Sequence, residues 1–354
     1  SLLIPFILVP VVSFLISSAA MASGLVPVTC HSVEWTTPVI IGGYKATGSI
    51  RGVILQLVIV AAGVLIYMPF VKLYDRRREH QAVTDLENLV DYLKSSEAES
   101  KDIMLSEIEG AAGGMARILI KDLKLALDNK EFFMMYQPQF NADKKMFGAE
   151  ALLRWKHKEL GFIYPPLIIK LSQEAGLMKE LEEYIFIHSQ EAIRALPKLR
   201  FSINATAISL RDPQFIEYLT STYQLLIRQG TNVCIEITEQ SSFITDEIML
   251  GNLDKLIKCG FSLAIDDFSM GHTSIKYLQE SNFDVVKLDG SLSKHMLEDT
   301  KTRYIIDSIV YLSKSSGFSV IAEFVENDEQ KQCLEGLGCT EYQGYLYSPA
   351  LTLE

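Results

Sequence analysis

The first 71 residues of the chain almost lack ionisable side chains. Only Glu34, Lys45 and Arg51 are acidic or basic in this stretch, and so few charges exclude an ordinary solvated surface there. From residue 72 onward charged residues are frequent, and the net negative charge lies in this part. The chain therefore joins an apolar region to a charged, globular one.

The sequence also lacks two patterns that define other classes of protein. Its five cysteines have no Cys-x-x-Cys or Cys/His spacing, which argues against a zinc site or a disulfide framework and predicts reduced thiols. It has no basic excess, with 33 Lys and Arg against 44 Asp and Glu. This balance excludes a nucleic-acid polymer as a partner. It leaves room for a small phosphate ligand, because metal ions can reverse the local charge.

Two apolar stretches, residues 2–28 and 53–71, dominate the first region. Each supplies the roughly 20 residues that a helix needs to cross a bilayer; the alternative is two buried helices of a soluble core. Lys72 and the cluster 76–78 (Arg-Arg-Arg) follow directly, and such positive charge marks the cytoplasmic side. We therefore expect an anchor in the inner (cytoplasmic) membrane, in contact with membrane lipid, with the remainder of the chain in the cytoplasm.

The Gly- and Thr-rich run between these stretches, WTTPVIIGGYKATGSIRG, is too irregular for a helix. Irregular backbone at membrane depth is tolerated only inside protein or beside a watery cavity. With IPFILVPVVSF, GLVPV and IYMPFVKLYD, this run resembles the C-terminal end of the cellobiose/lactose-type membrane subunit (IIC) of the sugar phosphotransferase system. The resemblance covers region 1–74 and implies phosphotransferase-system components as partners. It covers only the tail of such a subunit, so we do not expect transport by this chain alone; a truncated transporter and a retained anchor both fit.

Residues 75–116 form a polar, helix-prone connector. A Ser/Glu-rich patch at 95–100 and a glycine break at 110–114 interrupt it. The pattern is too short for sustained heptads, which favours a hinged helical linker over a coiled coil or a signal-relay helix. The apolar residues at helical spacing are Leu86, Leu89, Val90 and Leu93.

From Phe132 onward, short β-rich runs alternate with amphipathic helical stretches. This alternation predicts an α/β protein with a TIM-like (β/α)8 barrel. The eight strand candidates are FFMMYQPQF, MFGAEALLRW, LRFSINA, VCIEITE, FSLAIDDF, DVVKLD, SVIAEFVE and EYQGYLY.

Polar residues recur at or just past the ends of these strands, where the loops of such a barrel converge. One acidic strand end is ordinary, and capping of a helix is the alternative for Asp267. Five carboxylates and an amide at one mouth would repel strongly without cations. Hard divalent cations, Mg²⁺ or Mn²⁺, are the simplest remedy, and a pair of adjacent aspartates could bridge two ions about 3.5–4 Å apart. The residues are Glu150, Asn204, Glu236, Asp266, Asp267, Lys287 and Glu323.

Ordered motifs from about residue 117 to 350 resemble the EAL domain, a family of c-di-GMP phosphodiesterases. They are KDLKLALDNKEFFMMYQPQF, EALLRW, Pro165-Pro166, SINA, EITE, DDF, VKLD, AEFVE and QGYLYS. The resemblance implies an EAL domain over 117–354, a barrel that hydrolyses c-di-GMP to linear pGpG with two divalent cations. It also implies a homodimer formed through this domain.

The resemblance assigns a role to each site residue. Lys287 would orient or deprotonate the hydrolytic water, or act only as a counter-ion, and Glu239 would hold the loop after the fifth strand. Glu323 would contribute to the second metal directly or through water. The implied metal ligands are Glu150, Asn204, Glu236 and Asp266 for the first ion, and Asp266 and Asp267 for the second. The implied substrate contacts are Gln137, Arg154, Pro165 and Gln343, with a hydrogen-bonding role at the barrel mouth as the alternative for Gln137.

The sequence departs from the family at two places. Ser269 and Met270 replace the usual glycine and small residue after DDF, in a loop that couples dimerisation to metal binding in the family, and a glycine there can supply positive φ. Phe324 replaces the glycine of AEGVE, and its ring could crowd the substrate or point away. The intact ligand set favours a membrane-anchored c-di-GMP phosphodiesterase. The departures favour the alternative, a degenerate domain that binds c-di-GMP as a sensor or regulates sugar transport.

Overall fold

The computed structural model describes residues 39–41, 44–46, 68, 72–74, 76–77, 79–95, 103–238, 247–268 and 282–353. The chain divides into two compact units, Ser1–Val83 and Thr84–Glu354. In the first unit, Val39–Ile41 and Tyr44–Ala46 pair as a short antiparallel hairpin, inside the run for which the sequence predicted no helix. The two predicted membrane stretches lie almost wholly outside the described residues. Within the part that is described, no helix combines the length and the apolar character that crossing a membrane requires.

Eight strands of the second unit close into a barrel, as predicted. Strand β1 pairs with both β2 and β9, which closes the sheet, and the short β3 extends β2 outside the barrel. The strands are β1 (Phe132–Asn141), β2 (Met146–His157), β3 (Gly161–Ile163), β4 (Arg200–Asn204), β5 (Asn232–Thr238), β6 (Ser262–Phe268), β7 (Val285–Leu288), β8 (Ser319–Ala322) and β9 (Glu341–Tyr342).

The barrel departs from a regular (β/α)8 fold at its first strand. Strand β1 runs antiparallel to β2 and β9, whereas the pairs from β2 through β4 to β9 are parallel. The cause is the connection between β1 and β2, which is only residues 142–145 long. A parallel crossover needs about a dozen residues, so this link permits only a hairpin. The expected helix between the first two strands is therefore absent from the described chain.

Helices cover the outside of the barrel. Helix α5 shows why they form: Asp212 caps its first turn through the Gln214 N–H, Pro213 occupies the first turn, and its buried face carries Phe215 and Leu219. The helices are α1 (Gly110–Asp128), α2 (Pro165–Glu174), α3 (Met178–Ala195), α4 (Ala207–Arg211), α5 (Pro213–Arg228), α6 (Glu247–Lys258), α7 (Gly290–His295), α8 (Thr300–Ser316) and α9 (Asp328–Gly336).

Parts of the predicted connector are helical and buried. Residues 79–95 are helical, and Leu89 in this helix has no exposed surface. Lys94 lies over the Tyr164 ring, with Nζ 5.5 Å from the ring centroid. Farther along, the Leu105 N–H donates a hydrogen bond to Glu174 at 2.5 Å. The predicted glycine break is wrong, because residues 110–114 form the start of α1. The domain boundaries at 74/75 and 116/117 remain predictions.

Candidate active site

The predicted polar residues converge at one end of the barrel. Asn204 ends β4 and lies opposite Glu236 of β5 in the parallel register, Lys287 lies in β7, and Glu323 directly follows β8. Parallel strands bring their carboxyl ends to the same mouth. Glu150 differs from the expectation because it lies within β2, which continues to His157 as a hairpin partner of β1 and β3.

The ammonium group of Lys287 lies at the centre of the cluster. Its Nζ is 3.1 Å from Glu150 Oε2, 2.8 Å from Glu236 Oε2, 3.0 Å from Asp266 Oδ1 and 2.9 Å from Glu323 Oε1. The Lys287 side chain is only 1% exposed. An ammonium has three hydrogens to donate, and four carboxylates surround it. One cation among four ionised acids leaves three negative charges uncompensated.

The pKa values of three carboxyl groups reflect this shortage of positive charge. Burial, with added repulsion from like-charged neighbours and partial relief from Lys287, raises the pKa of Glu236 to about 8. Burial and the adjacent Asp266 raise the pKa of Asp267 to about 7. Burial also holds the pKa of Glu323 well above its ordinary value. Further cations would stabilise the charged forms of these acids and so lower their pKa values.

Glu150 is the carboxylate best stabilised in its charged form. Burial acts to raise its pKa, but the charge of Lys287 and hydrogen bonds from Gln343 and Asn204 bring the pKa below its ordinary value. Asn204 Nδ2 donates to Glu150 Oε1 at 2.9 Å, and Gln343 Nε2 donates to Oε2 at 2.7 Å. The pKa of Lys287 in turn is raised well above its ordinary value, because the surrounding carboxylates outweigh the effect of burial.

Two groups of carboxylates have the spacing that a metal ion requires. Glu150, Glu236 and Asp266 form one, and Asp266, Asp267 and Glu323 form the other; within each group the donor oxygens lie within 4.8 Å of one another. The groups share Asp266. Glu236 Oε1 is buried and has no hydrogen-bond partner among the residues that the structure describes, which leaves a lone pair that can face a cation. Oxygen-only donors of this kind fit Mg²⁺ or Mn²⁺.

An irregularity in β6 explains how two consecutive aspartates serve one site. Successive side chains of a strand normally point to opposite faces. The register of β6 against β7 shifts between Ile265 and Phe268, and Asp267 has φ of 55°. A bulge re-aims a side chain in this way, and strained backbone of this kind concentrates at functional sites. Asp267 lies within β6 and caps no helix that the structure describes.

Glutamines join the cluster to the first strand. Gln137 lies opposite Glu150 in the β1–β2 register, and its Oε1 accepts from Gln343 Nε2 at 3.4 Å. Gln139, which the sequence analysis missed, is fully buried and donates from Nε2 to Gln343 Oε1 at 2.9 Å. The period of two along β1 could have revealed it, since Gln137 and Gln139 share a face.

The other predicted substrate contacts lie around this core. Arg154 is half-buried in β2, on the same face as Glu150, and its Nη1 donates to the Leu153 carbonyl at 2.8 Å. Tyr345, also missed from the sequence, is 73% exposed and lies near enough to interact electrostatically with Arg154. Pro165 begins α2 and has no contact with the cluster among those described. Three residues singled out from the sequence lie outside the described residues: Glu239, Ser269 and Met270.

Phe324, the residue after Glu323, packs against helix α7. Its φ of 52° is in the left-handed region, which explains why a glycine suits this position. The ring packs against Gly290 at the start of α7, and Lys294 Nζ is 4.8 Å from the ring centroid.

Comparisons with known proteins show which family the chain belongs to. The chain is 31% identical over 251 residues to an uncharacterised protein of Mycobacterium tuberculosis, covering 67% of this chain and 80% of that protein. It is 30% identical to a cyclic di-GMP phosphodiesterase of Pseudomonas aeruginosa, covering 67% of this chain but only 41% of that protein. The structure of the MucR phosphodiesterase in complex with c-di-GMP matches with a TM-score of 0.61 and 26% identity, over 66% of this chain and 97% of that one. The family model described as EAL domain matches residues 120–350, and the chain belongs to the EAL domain family.

Proposed function

We propose that this protein is a membrane-anchored phosphodiesterase that hydrolyses c-di-GMP to linear pGpG with the help of two divalent cations. The observation that carries the proposal is the pair of carboxylate groups that share Asp266 around the buried Lys287. Relatives and matched structures that are named c-di-GMP phosphodiesterases support the substrate. The apolar stretches 2–28 and 53–71 support the membrane anchor.

The side chains at the mouth fit two hard cations. Glu150, Asn204, Glu236 and Asp266 would hold the first, and Asp266, Asp267 and Glu323 the second, directly or through water. When bound, Mg²⁺ or Mn²⁺ lowers the pKa of water and offsets the negative charge of the phosphate. The excess of negative charge around Lys287 would be relieved by the same ions.

The chain's own residues would place the reactants. Lys287 reaches the centre of the carboxylates, where its ammonium would orient the attacking water by donating a hydrogen bond to it. Arg154 would hold a phosphate through two parallel hydrogen bonds, and Gln137 and Gln343 would bind the substrate from β1 and the end of β9. The water oxygen forms a bond to phosphorus in line with the 3′ oxygen. The bond between phosphorus and the 3′ oxygen breaks, and that oxygen takes up the proton that the attacking water loses.

Three partners belong to this proposal as well. Membrane lipid would surround the N-terminal stretches, and a second copy of the chain would bind through the EAL domain. Components of the sugar phosphotransferase system would bind residues 1–74, the region that resembles its membrane subunit. The competing sensor function is supported only by the departures at Ser269, Met270 and Phe324, whereas every predicted ligand residue is present.

The test uses the full chain in detergent. We expect c-di-GMP to be converted to pGpG with Mg²⁺ or Mn²⁺ present, to stay intact after EDTA, and to be hydrolysed again when excess metal is restored. Chromatographic separation of the two nucleotides measures the conversion. Tight binding of c-di-GMP without any pGpG in either metal would contradict the enzyme and establish the sensor.

A further inference from the structure

Phe324 places a large apolar surface at a polar barrel mouth. It is the residue after Glu323, at the carboxyl end of β8, and it is 48% exposed. Its ring contacts α7, which begins directly after Asp289, two residues beyond Lys287 in the chain. Phe324 thus follows a member of the second carboxylate group (Asp266, Asp267 and Glu323) in sequence. Its ring contacts Gly290, the neighbour of Asp289, whose charge acts on Asp267.

The ring packs closely against α7. A Cβ atom at Gly290 would lie 2.2 Å from a ring carbon of Phe324, so the ring occupies space that only a glycine at 290 leaves free. Lys294 Nζ lies 4.8 Å from the ring centroid, a cation–π contact. The ring is thus supported from α7 while about half of the residue's surface stays open to solvent.

Packing alone does not account for this side chain. The left-handed backbone at φ 52° strains any residue other than glycine, and the exposed ring keeps much of its apolar surface in water. Strain of this kind persists where the surrounding structure enforces it and is concentrated at ligand sites. A flat apolar face beside a phosphate site matches the chemistry of a nucleobase, which stacks on aromatic side chains whatever its sequence.

We propose that Phe324 is a binding residue that stacks against one base of the cyclic dinucleotide while its phosphate is held at the adjacent carboxylate site. The inference rests on the proposed function. It adds a contact that a glycine at this position does not offer, and it assigns the departure from the AEGVE pattern to substrate binding. Lys294 supports the ring from the α7 side.

The first test separates KM from kcat in the full chain. Replacing Phe324 with leucine keeps an apolar side chain but removes the π face, and we expect KM for c-di-GMP to rise roughly tenfold, within the range that stacking provides, with kcat within about twofold. Phe324→Tyr should retain the parent KM. Tyr311→Leu is the matched control, because Tyr311 is 71% exposed on α8, and its KM should not change.

The second test detects the stacking directly. In Phe324→Trp, mixing with c-di-GMP and Mg²⁺ in a stopped-flow instrument should quench the fluorescence of the added tryptophan before the first turnover. In Tyr311→Trp the fluorescence change on mixing should be no larger than in the parent protein. An unchanged KM in Phe324→Leu, or no extra quenching in Phe324→Trp while pGpG forms, overturns the stacking proposal alone. A parent protein that neither binds nor hydrolyses c-di-GMP overturns the proposed function and this inference together.

Discussion

Replacing Glu150 with alanine should lower the rate of c-di-GMP hydrolysis by at least about 10³-fold. A catalytic metal supplies several kcal/mol of charge stabilisation, and each 1.36 kcal/mol corresponds to about tenfold in rate. Glu150 belongs to the first carboxylate group, and it also accepts hydrogen bonds from Asn204 and Gln343. Its removal would take away a metal ligand and the acceptor of the hydrogen bonds that Asn204 and Gln343 donate to it. The measurement is the initial rate of pGpG formation at saturating Mn²⁺.

The control removes a carboxylate of the same domain that has no place in the cluster. Asp254 lies on α6, is mostly exposed and pairs with Lys258, so Asp254→Ala should retain the parent rate. The assignment of Glu150 would be refuted by a Glu150→Ala variant that is folded and hydrolyses c-di-GMP within about tenfold of the parent, a loss too small for a missing metal ligand.

The second large effect concerns stability. Lys287→Met removes the cation that contacts four carboxylates, and in metal-free buffer at pH 8 we expect the free energy of unfolding to fall by about 3–5 kcal/mol, the cost of leaving a buried charge unpaired. Urea unfolding followed by tryptophan fluorescence measures the loss, because Trp155 is fully buried in β2. Adding Mn²⁺ should stabilise the variant more than the parent, since the ions would replace the missing positive charge.

Lys258→Met is the matched control for this variant. Lys258 forms an exposed ion pair with Asp254 within α6, and exposed pairs contribute about 0–1 kcal/mol. Its unfolding transition should therefore stay near that of the parent. If Lys287→Met is as stable as Lys258→Met without metal, then the carboxylates do not depend on the ammonium, and the electrostatic description of the site is wrong.

The strands and the end of the barrel that carries the site could be predicted from the sequence. Each of the eight predicted β-rich runs contains a strand of the structure, and the short β3 is a described strand that the sequence did not predict. The antiparallel first strand could also be predicted, because residues 142–145 are too few for a parallel crossover connection. The alternation of β-rich and helical runs by itself predicts a regular repeat, and the length of this one connection is the signal against it.

The geometry of the cluster could not be predicted in the same way. That Lys287 contacts four carboxylates depends on how strands β2, β5, β6 and β8 are staggered around the barrel, and stagger is a property of the closed sheet. The bulge that turns Asp267 toward the mouth has no sequence signal of its own. The packing of the Phe324 ring could not be predicted either, because it depends on Gly290, which is distant in sequence.

The central claim is that the mouth of this barrel binds a pair of divalent cations. Equilibrium dialysis of the metal-free full chain against Mn²⁺, with c-di-GMP present, measures the ions bound per chain. We predict two ions for the parent protein and a loss of both in Asp266→Ala, because Asp266 belongs to both carboxylate groups. A parent protein that binds no Mn²⁺, or an Asp266→Ala variant that still binds two ions with parent affinity, would contradict the account.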